Sequence, residues 1–92
     1  MSGGDYDLAL TPPARRALAE RLPEAVAAAV IDFLTVALVQ QPELVGKPLR
    51  GQLAGVWSAR RGTYRVLYRI NEDAHEVIVI RIEHRRDVYR RS

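Results

Sequence analysis

Five side chains in the second half of the chain are of types that bind a phosphate group or move a proton. They are Arg60, Arg65, His84, Arg85 and Tyr89. The planar guanidinium group of arginine binds two phosphate oxygens at once, and histidine is the side chain that titrates nearest to neutral pH. We therefore predict a site for an anionic substrate.

Metal chemistry is not expected, because the sequence offers few ligands of the usual kinds. There is no cysteine, and the two histidines, His75 and His84, are nine residues apart on one predicted strand. The candidate residues also lack the grouped carboxylates that a hard cation needs. We predict neither a metal nor a small-molecule cofactor.

Basic charge is concentrated in the second half of the chain. Residues 1–46 carry a net charge of −3, whereas residues 47–92 carry ten arginines and Lys47 against five acidic residues, a net charge of +6. Such an arginine-rich half is typical of proteins that bind nucleic acid or phosphate. A solvated basic surface without a partner is the alternative interpretation of the same charge.

Length and composition indicate one domain over residues 1–92, since 92 residues leave no room for two cores and 48% of them are hydrophobic. The longest apolar run, residues 25–39, contains Asp32 and is too short to span a bilayer. The absence of cysteine fits a reducing compartment. We expect a soluble, cytoplasmic protein that does not contact a membrane.

The two arginines of the central segment lie in a predicted β-hairpin, residues 56–70, with its turn at Gly62. Side chains alternate across a strand, so Arg65 faces away from the apolar side chains at positions 64, 66, 68 and 70. Arg60 and Arg65 then lie near each other on neighbouring strands. Like charges repel in such pairs, which favours an anionic ligand between them.

The remaining elements are predicted from caps and apolar periodicity. A short strand, residues 6–10, precedes Thr11 as the N-cap of a helix over 13–22, and Pro23 separates it from a second helix over 24–40. Residues 42–55 are predicted as a loop, and the apolar segment 75–83 as a central strand. The order is β-α-α-β-β-β. We predict an α+β fold in which a helical hairpin packs on the Trp57/Tyr64/Val66/Tyr68 face of a small, mostly antiparallel sheet.

Three motifs resemble those of the RelE/ParE superfamily of toxins from bacterial toxin–antitoxin modules. They lie at residues 47–51, 55–68 and 84–89, and they include Tyr-Arg-x-x-Tyr after the glycine turn and a closing Arg-x-x-Val-Tyr. The resemblance covers essentially the whole chain. It is closer to the RelE-type branch than to the ParE-type branch.

The resemblance implies cleavage of messenger RNA, commonly on the ribosome, and neutralisation by a RelB-like antitoxin. In the family mechanism the RNA 2′-hydroxyl attacks the adjacent phosphate, leaving a 2′,3′-cyclic phosphate and a 5′-hydroxyl, without a metal. By this resemblance Arg65 and Arg85 are catalytic arginines, with Arg86 as the alternative register for the second, and Tyr89 is the catalytic tyrosine. RNA-binding residues are expected at Arg60, Arg61, Arg86 and Lys47.

The general base remains open in this sequence. The best-known branch of the family carries lysines where this chain has Val56 and Ser58. Arginine is too weak a base for the task, so His84 and Tyr89 compete for the acid and base roles. Two other functions stay open: inhibition of DNA gyrase without catalysis, as in the ParE-type branch, and RNA binding without cleavage.

Overall fold

One five-stranded sheet organises residues 5–85, the part of the chain that the computed structural model describes. The strands are β1 (Asp7–Leu10), β2 (Lys47–Pro48), β3 (Trp57–Arg61), β4 (Tyr64–Asn71) and β5 (Glu76–His84). Their order across the sheet is β1-β5-β4-β3-β2. Only the β1–β5 pair is parallel within this described sheet, and the other three pairs are antiparallel.

The helices lie mainly between β1 and β2. Helix α1 (Pro12–Arg16) continues in π-helical geometry over Ala17–Arg21, and α2 (Glu24–Asp32) continues likewise over Phe33–Leu38. The predicted N-cap is confirmed, because the Thr11 hydroxyl accepts a hydrogen bond from the Ala14 amide at 3.4 Å. Within residues 5–85, no helix combines the length and the apolar character needed to cross a bilayer.

Both helical segments pack on one face of the sheet, which confirms the predicted α+β layer arrangement. Their buried side chains, among them Val30, Leu34 and Leu38, join the core side chains of the strands. The strand residues in this core are Ala59, Tyr64, Val66, Tyr68, Val77, Val79 and Ile82. Trp57 packs against the same core and stacks on Tyr68. The opposite face carries charged side chains and is not covered by the helices.

The prediction that residues 42–55 form a plain loop is wrong. This segment contains a short helix α3 (Pro42–Val45), strand β2 and a 3₁₀ turn (Gly51–Leu53). A two-residue strand is too short to show alternation in sequence, and β2 is visible only through its pairing with β3. The sheet consequently has one strand more than the predicted order.

A β-bulge interrupts β5 and decides which of its side chains face the helices. Tyr68 pairs with Val79 and Leu67 with Arg81, so Ile80 is an extra residue without a partner on β4. Thr11 binds this irregular point twice: its amide donates to the Val79 carbonyl at 3.0 Å and its hydroxyl to the Ile80 carbonyl at 2.9 Å. Beyond the bulge, each side chain of β5 points to the face opposite to the one that uniform alternation would give it.

Candidate functional site

A cleft of about 460 Å³ opens at one end of the central strands, beside the turn between β3 and β4 and the last residues of β5. It brings together four of the sequence-predicted site residues, which are Arg60, Arg65, His84 and Arg85. Gly62, Thr63, Tyr64 and Glu83 complete the lining. The hairpin supplies one wall of this cleft and the end of β5 supplies the other.

The two hairpin arginines occupy directly opposed positions. Arg60 of β3 is the cross-strand partner of Arg65 of β4, and both are exposed on the open face. Gly62 permits the tight connection between them, since its φ of +55° lies in the left-handed region that favours glycine. Two like charges at opposed positions destabilise a free hairpin, and a phosphate bound between them would remove that repulsion.

Glu83 is the residue of this site that the sequence analysis missed. It is the cross-strand partner of Arg65 on β5, and its carboxylate lies 3.8 Å from the Arg65 guanidinium. The Arg81 side chain contacts the same carboxylate at 3.3 Å. A strand with uniform alternation would place Glu83 on the side of Val77 and Val79, so only the bulge brings it to the arginine face.

His84 points to the other side of the sheet. It pairs with Tyr64, a core residue, and only 8% of it is exposed. Uniform alternation along β5 would place this histidine on the open face with the arginines, but the bulge at Ile80 reverses the facing of the strand. His84 still lines the cleft from its inner wall, so its catalytic role stays a prediction.

Arg85 is held beside the hairpin turn by its backbone. Its amide donates a hydrogen bond of 2.7 Å to the Thr63 carbonyl, immediately after β5 ends. This contact ties the exposed Arg85 to the same turn that carries Arg60 and Arg65. The cleft therefore presents three arginines around one opening.

Two further predicted RNA-binding residues lie on different sides of the sheet. Lys47 pairs with Ser58, so it shares the open face with Arg60 from the neighbouring strand β2. The Arg61 guanidinium lies over the Phe33 ring, 4.9 Å from its centre, on the helix-covered side. This geometry ties Arg61 to the core, whereas Lys47 extends the basic open face.

Tyr89 and Arg86, the remaining predicted site residues, lie outside the described residues.

Tyr64 is the one tyrosine that lines the cleft within residues 5–85. Burial raises the pKa of its phenol, and the nearby Arg61 charge lowers the same pKa to a smaller extent. A phenol is already protonated near neutral pH, and the raised pKa makes Tyr64 a still weaker candidate for a base, so it can act as a hydrogen-bond donor in the cleft.

Among residues 5–85, no three histidine, aspartate or glutamate side chains come close enough to hold a metal ion together.

Known proteins share both the sequence and the fold of this chain. The family model described as "ParE toxin of type II toxin-antitoxin system, parDE" matches residues 8–89. The toxin RelG of Mycobacterium tuberculosis is 50% identical over 86 residues, which cover 94% of this chain and 98% of RelG. The toxin RelE of the same organism is 47% identical over 85 residues, covering 92% of this chain and 87% of RelE.

A solved crystal structure shows the same fold and a similar level of sequence identity. The crystal structure of the toxin–antitoxin complex RelBE2 from M. tuberculosis contains a chain with a TM-score of 0.85 and 48% identity to this one. The match covers 88% of this chain and 99% of the other. The chain thus belongs to the ParE toxin family of type II toxin–antitoxin systems, as a RelE-type member.

Proposed function

We propose that this toxin is an endoribonuclease that cleaves messenger RNA, commonly at the ribosome, and thereby inhibits translation and growth. The observation that carries the proposal is the cleft with Arg60 and Arg65 opposed on the open face and Arg85 beside their turn. The chain also shares about half its residues with toxins named RelE and RelG. Such a reaction belongs in the cytoplasm, where its substrate is.

The chemistry requires no metal if cations stabilise the extra negative charge of the phosphorane-like transition state. Arg65 and Arg85 bind the scissile phosphate, because each guanidinium can contact two of its oxygens. The 2′-oxygen attacks phosphorus, the bond to the 5′-oxygen breaks, and the products end in a 2′,3′-cyclic phosphate and a 5′-hydroxyl. Arg60 and Lys47 attract the RNA backbone to the same face, with Arg61 and Arg86 adding general positive charge.

Proton transfer is divided between a base for the 2′-hydroxyl and an acid for the 5′-oxygen. His84 and Tyr89 are the candidates that the sequence supplies. His84 supports this assignment by lining the inner wall of the cleft.

The second partner in the proposal is a RelB-like antitoxin that covers the basic open face with an acidic, helix-forming segment. The similar chain in the RelBE2 crystal structure is part of a toxin–antitoxin complex. Coexpression of the neighbouring antitoxin gene should restore growth and yield a stable complex. Harmless overexpression of the toxin alone, with no complex formed, would contradict this part of the proposal.

The direct test is an end-group analysis of RNA incubated with the purified toxin, with and without ribosomes. We expect 2′,3′-cyclic phosphate and 5′-hydroxyl ends, formed equally well in the presence of a metal chelator. Intact RNA under both conditions, together with inhibition of DNA gyrase supercoiling, would replace the ribonuclease by the ParE-type alternative. RNA binding without new ends would leave only a binding module.

A further inference from the structure

We propose that Glu83 is the general base that removes the proton from the RNA 2′-hydroxyl. This role rests on the ribonuclease function proposed above and assigns one of its two proton transfers. The catalytic candidates taken from the sequence were arginines, a histidine and a tyrosine, and the structure adds a carboxylate in their midst.

The position of Glu83 is the first argument. Its carboxylate lies 3.8 Å from the Arg65 guanidinium, and 29% of the side chain is exposed into the cleft that Arg60, Arg65 and Arg85 share. A phosphate bound by Arg65 brings its neighbouring ribose beside the same guanidinium. In this arrangement the 2′-hydroxyl of that ribose would face the Glu83 carboxylate, as general base catalysis requires.

The contrast with its neighbour on β5 is the second argument. His84 lies on the helix-covered side with 8% exposure, whereas Glu83 faces the arginines. The bulge at Ile80 produces this division, and the Thr11 hydroxyl holds the bulge by its 2.9 Å hydrogen bond. Bulges beside active sites commonly redirect a side chain in this way. Glu83 and His84 therefore line the cleft from different faces of the sheet, which suits a base and an acid acting on opposite sides of one phosphate.

The charges around Glu83 form the third argument. In the free protein its carboxylate is balanced by Arg65 of β4 and Arg81 of β5, with Arg60 of β3 and Arg85 nearby in the cleft. A bound phosphate engages Arg65 and brings its own negative charge next to Glu83. The phosphate thereby takes over Arg65 from the carboxylate and leaves a carboxylate oxygen free to accept a hydrogen bond from the 2′-hydroxyl.

Glu83 takes the proton of the 2′-hydroxyl while the 2′-oxygen bonds to phosphorus. The bond from phosphorus to the 5′-oxygen breaks, and the general acid on the other side of the cleft donates a proton to that oxygen. Exchange with water afterwards returns both groups to their starting states.

Glu83→Gln tests the proposal, because glutamine preserves the shape of the side chain but cannot take up the proton. We expect single-turnover cleavage to slow by roughly 10²–10⁴-fold. Binding of an RNA with a 2′-deoxyribose at the cleavage site should be retained, since this RNA binds but cannot react. One matched control, Glu76→Gln at the opposite end of β5, should keep its cleavage activity.

A substrate with sulfur in place of the bridging 5′-oxygen separates base from acid, because a thiolate departs without a proton. Glu83→Gln should remain slow on this substrate, while a variant of the general acid should recover. Recovery of Glu83→Gln would overturn the proposal in favour of the acid role. Lost binding of the 2′-deoxy RNA would overturn it in favour of a role in positioning Arg65.

Wild-type rates in Glu83→Gln would overturn the assignment of Glu83 and leave the ribonuclease function standing. A wild-type toxin that cleaves no RNA would overturn both. Thermal unfolding of each variant reports whether the fold is intact. If Glu83→Gln fails to fold, Glu83→Asp keeps a carboxylate one methylene further from the substrate. That variant should cleave more slowly than wild type while retaining binding, and wild-type rates there would contradict the assignment.

Discussion

The two faces of the sheet share the same strands but differ in what their side chains do. On the covered face Val66, Tyr68 and Val79 are completely buried beneath the helices. On the open face Arg60, a directly opposed Arg65 and its partner Glu83 form a row of charges that none of the helices between β1 and β2 covers. In β4, alternate residues of one continuous strand thus hold the fold together or face the cleft.

Because one side of each strand faces the helices and the other side faces the cleft, stability and activity should be separable by substitution in this protein. A residue that faces the helices contributes to the free energy of unfolding, whereas its neighbour along the strand faces the substrate. In β5 this division depends on the bulge at Ile80, since the bulge turns Glu83 outward and His84 inward. Four substitutions test the separation, beginning with the largest expected effect.

Leu34→Ala should act only on stability. Leu34 is 1% exposed in the core beneath the sheet, and removing such a side chain leaves a cavity that costs about 2–5 kcal/mol. Chemical denaturation should show this loss, while cleavage per folded molecule stays at the wild-type level. Reduced cleavage in fully folded protein would show that the two faces are coupled.

Arg65→Ala should act only on activity. Loss of one preorganised donor to a developing charge slows a reaction by roughly 10²–10³-fold, and the exposed side chain contributes little to the core. Single-turnover cleavage and thermal unfolding measure the two effects. Arg65→Lys should recover activity in part, because lysine cannot bind two oxygens at once. The matched control is Arg69→Ala, an exposed arginine of the same strand outside the cleft.

Tyr68→Phe should lower stability in a pH-dependent way. The Tyr68 hydroxyl donates a buried hydrogen bond of 2.6 Å to the Pro42 carbonyl, and an unpaired buried carbonyl costs about 1–3 kcal/mol. Burial raises the pKa of Tyr68 to about 12, with a smaller lowering by Arg61. The folded state thus favours the phenol, and this stabilisation is complete below the ordinary pKa of 10.0 and declines as the pH rises towards 12.

Urea unfolding of wild type and Tyr68→Phe at several pH values checks this prediction. The difference between their unfolding free energies should shrink as the pH rises from about 10 to about 12. A difference that grows over this range would contradict the assigned direction of the pKa shift.

Thr11→Ala should have the smallest overall effect of the four substitutions, and it should act on both faces of the sheet. It removes both the cap of α1 and the hydrogen bond to the Ile80 carbonyl, and losing such a cap costs about 0.5–2 kcal/mol. Because the bulge directs Glu83 to the cleft, cleavage per folded molecule should also fall. Thr11→Ser keeps the hydroxyl and serves as the control. Unchanged cleavage by folded Thr11→Ala would show that the bulge does not depend on Thr11.

Local signals in the sequence were sufficient for most of the fold. The Thr11 cap, the turn at Gly62 and the alternation of Tyr64, Val66 and Tyr68 each depend on neighbouring residues, and all three are confirmed. The features that the sequence did not reveal depend on distant partners. The pairing of Lys47–Pro48 with β3 and the bulge at Ile80 exist only through contacts with other strands.

The candidate site was predictable to the same extent. Arg60 and Arg65 belong to one hairpin, so their opposition follows from the turn. The exchange of Glu83 and His84 between the faces could not be predicted, because uniform alternation from Val77 and Val79 gives the reverse result. The local alternation Arg81-Ile82-Glu83, with the charged side chains on one face and the apolar one on the other, is the signal that could have found Glu83.

The most direct test of the account follows the backbone amide and arginine side-chain NMR signals while an RNA with a 2′-deoxyribose at the cleavage site is added. We predict the largest shifts at Arg60, Arg65 and Arg85, with smaller ones at Glu83 and His84 around the cleft. The exposed outer side of α2, including Ile31, should remain unchanged. Shifts confined to α2, with the arginine signals unmoved, would contradict the claim that the open face of the sheet binds the RNA phosphate.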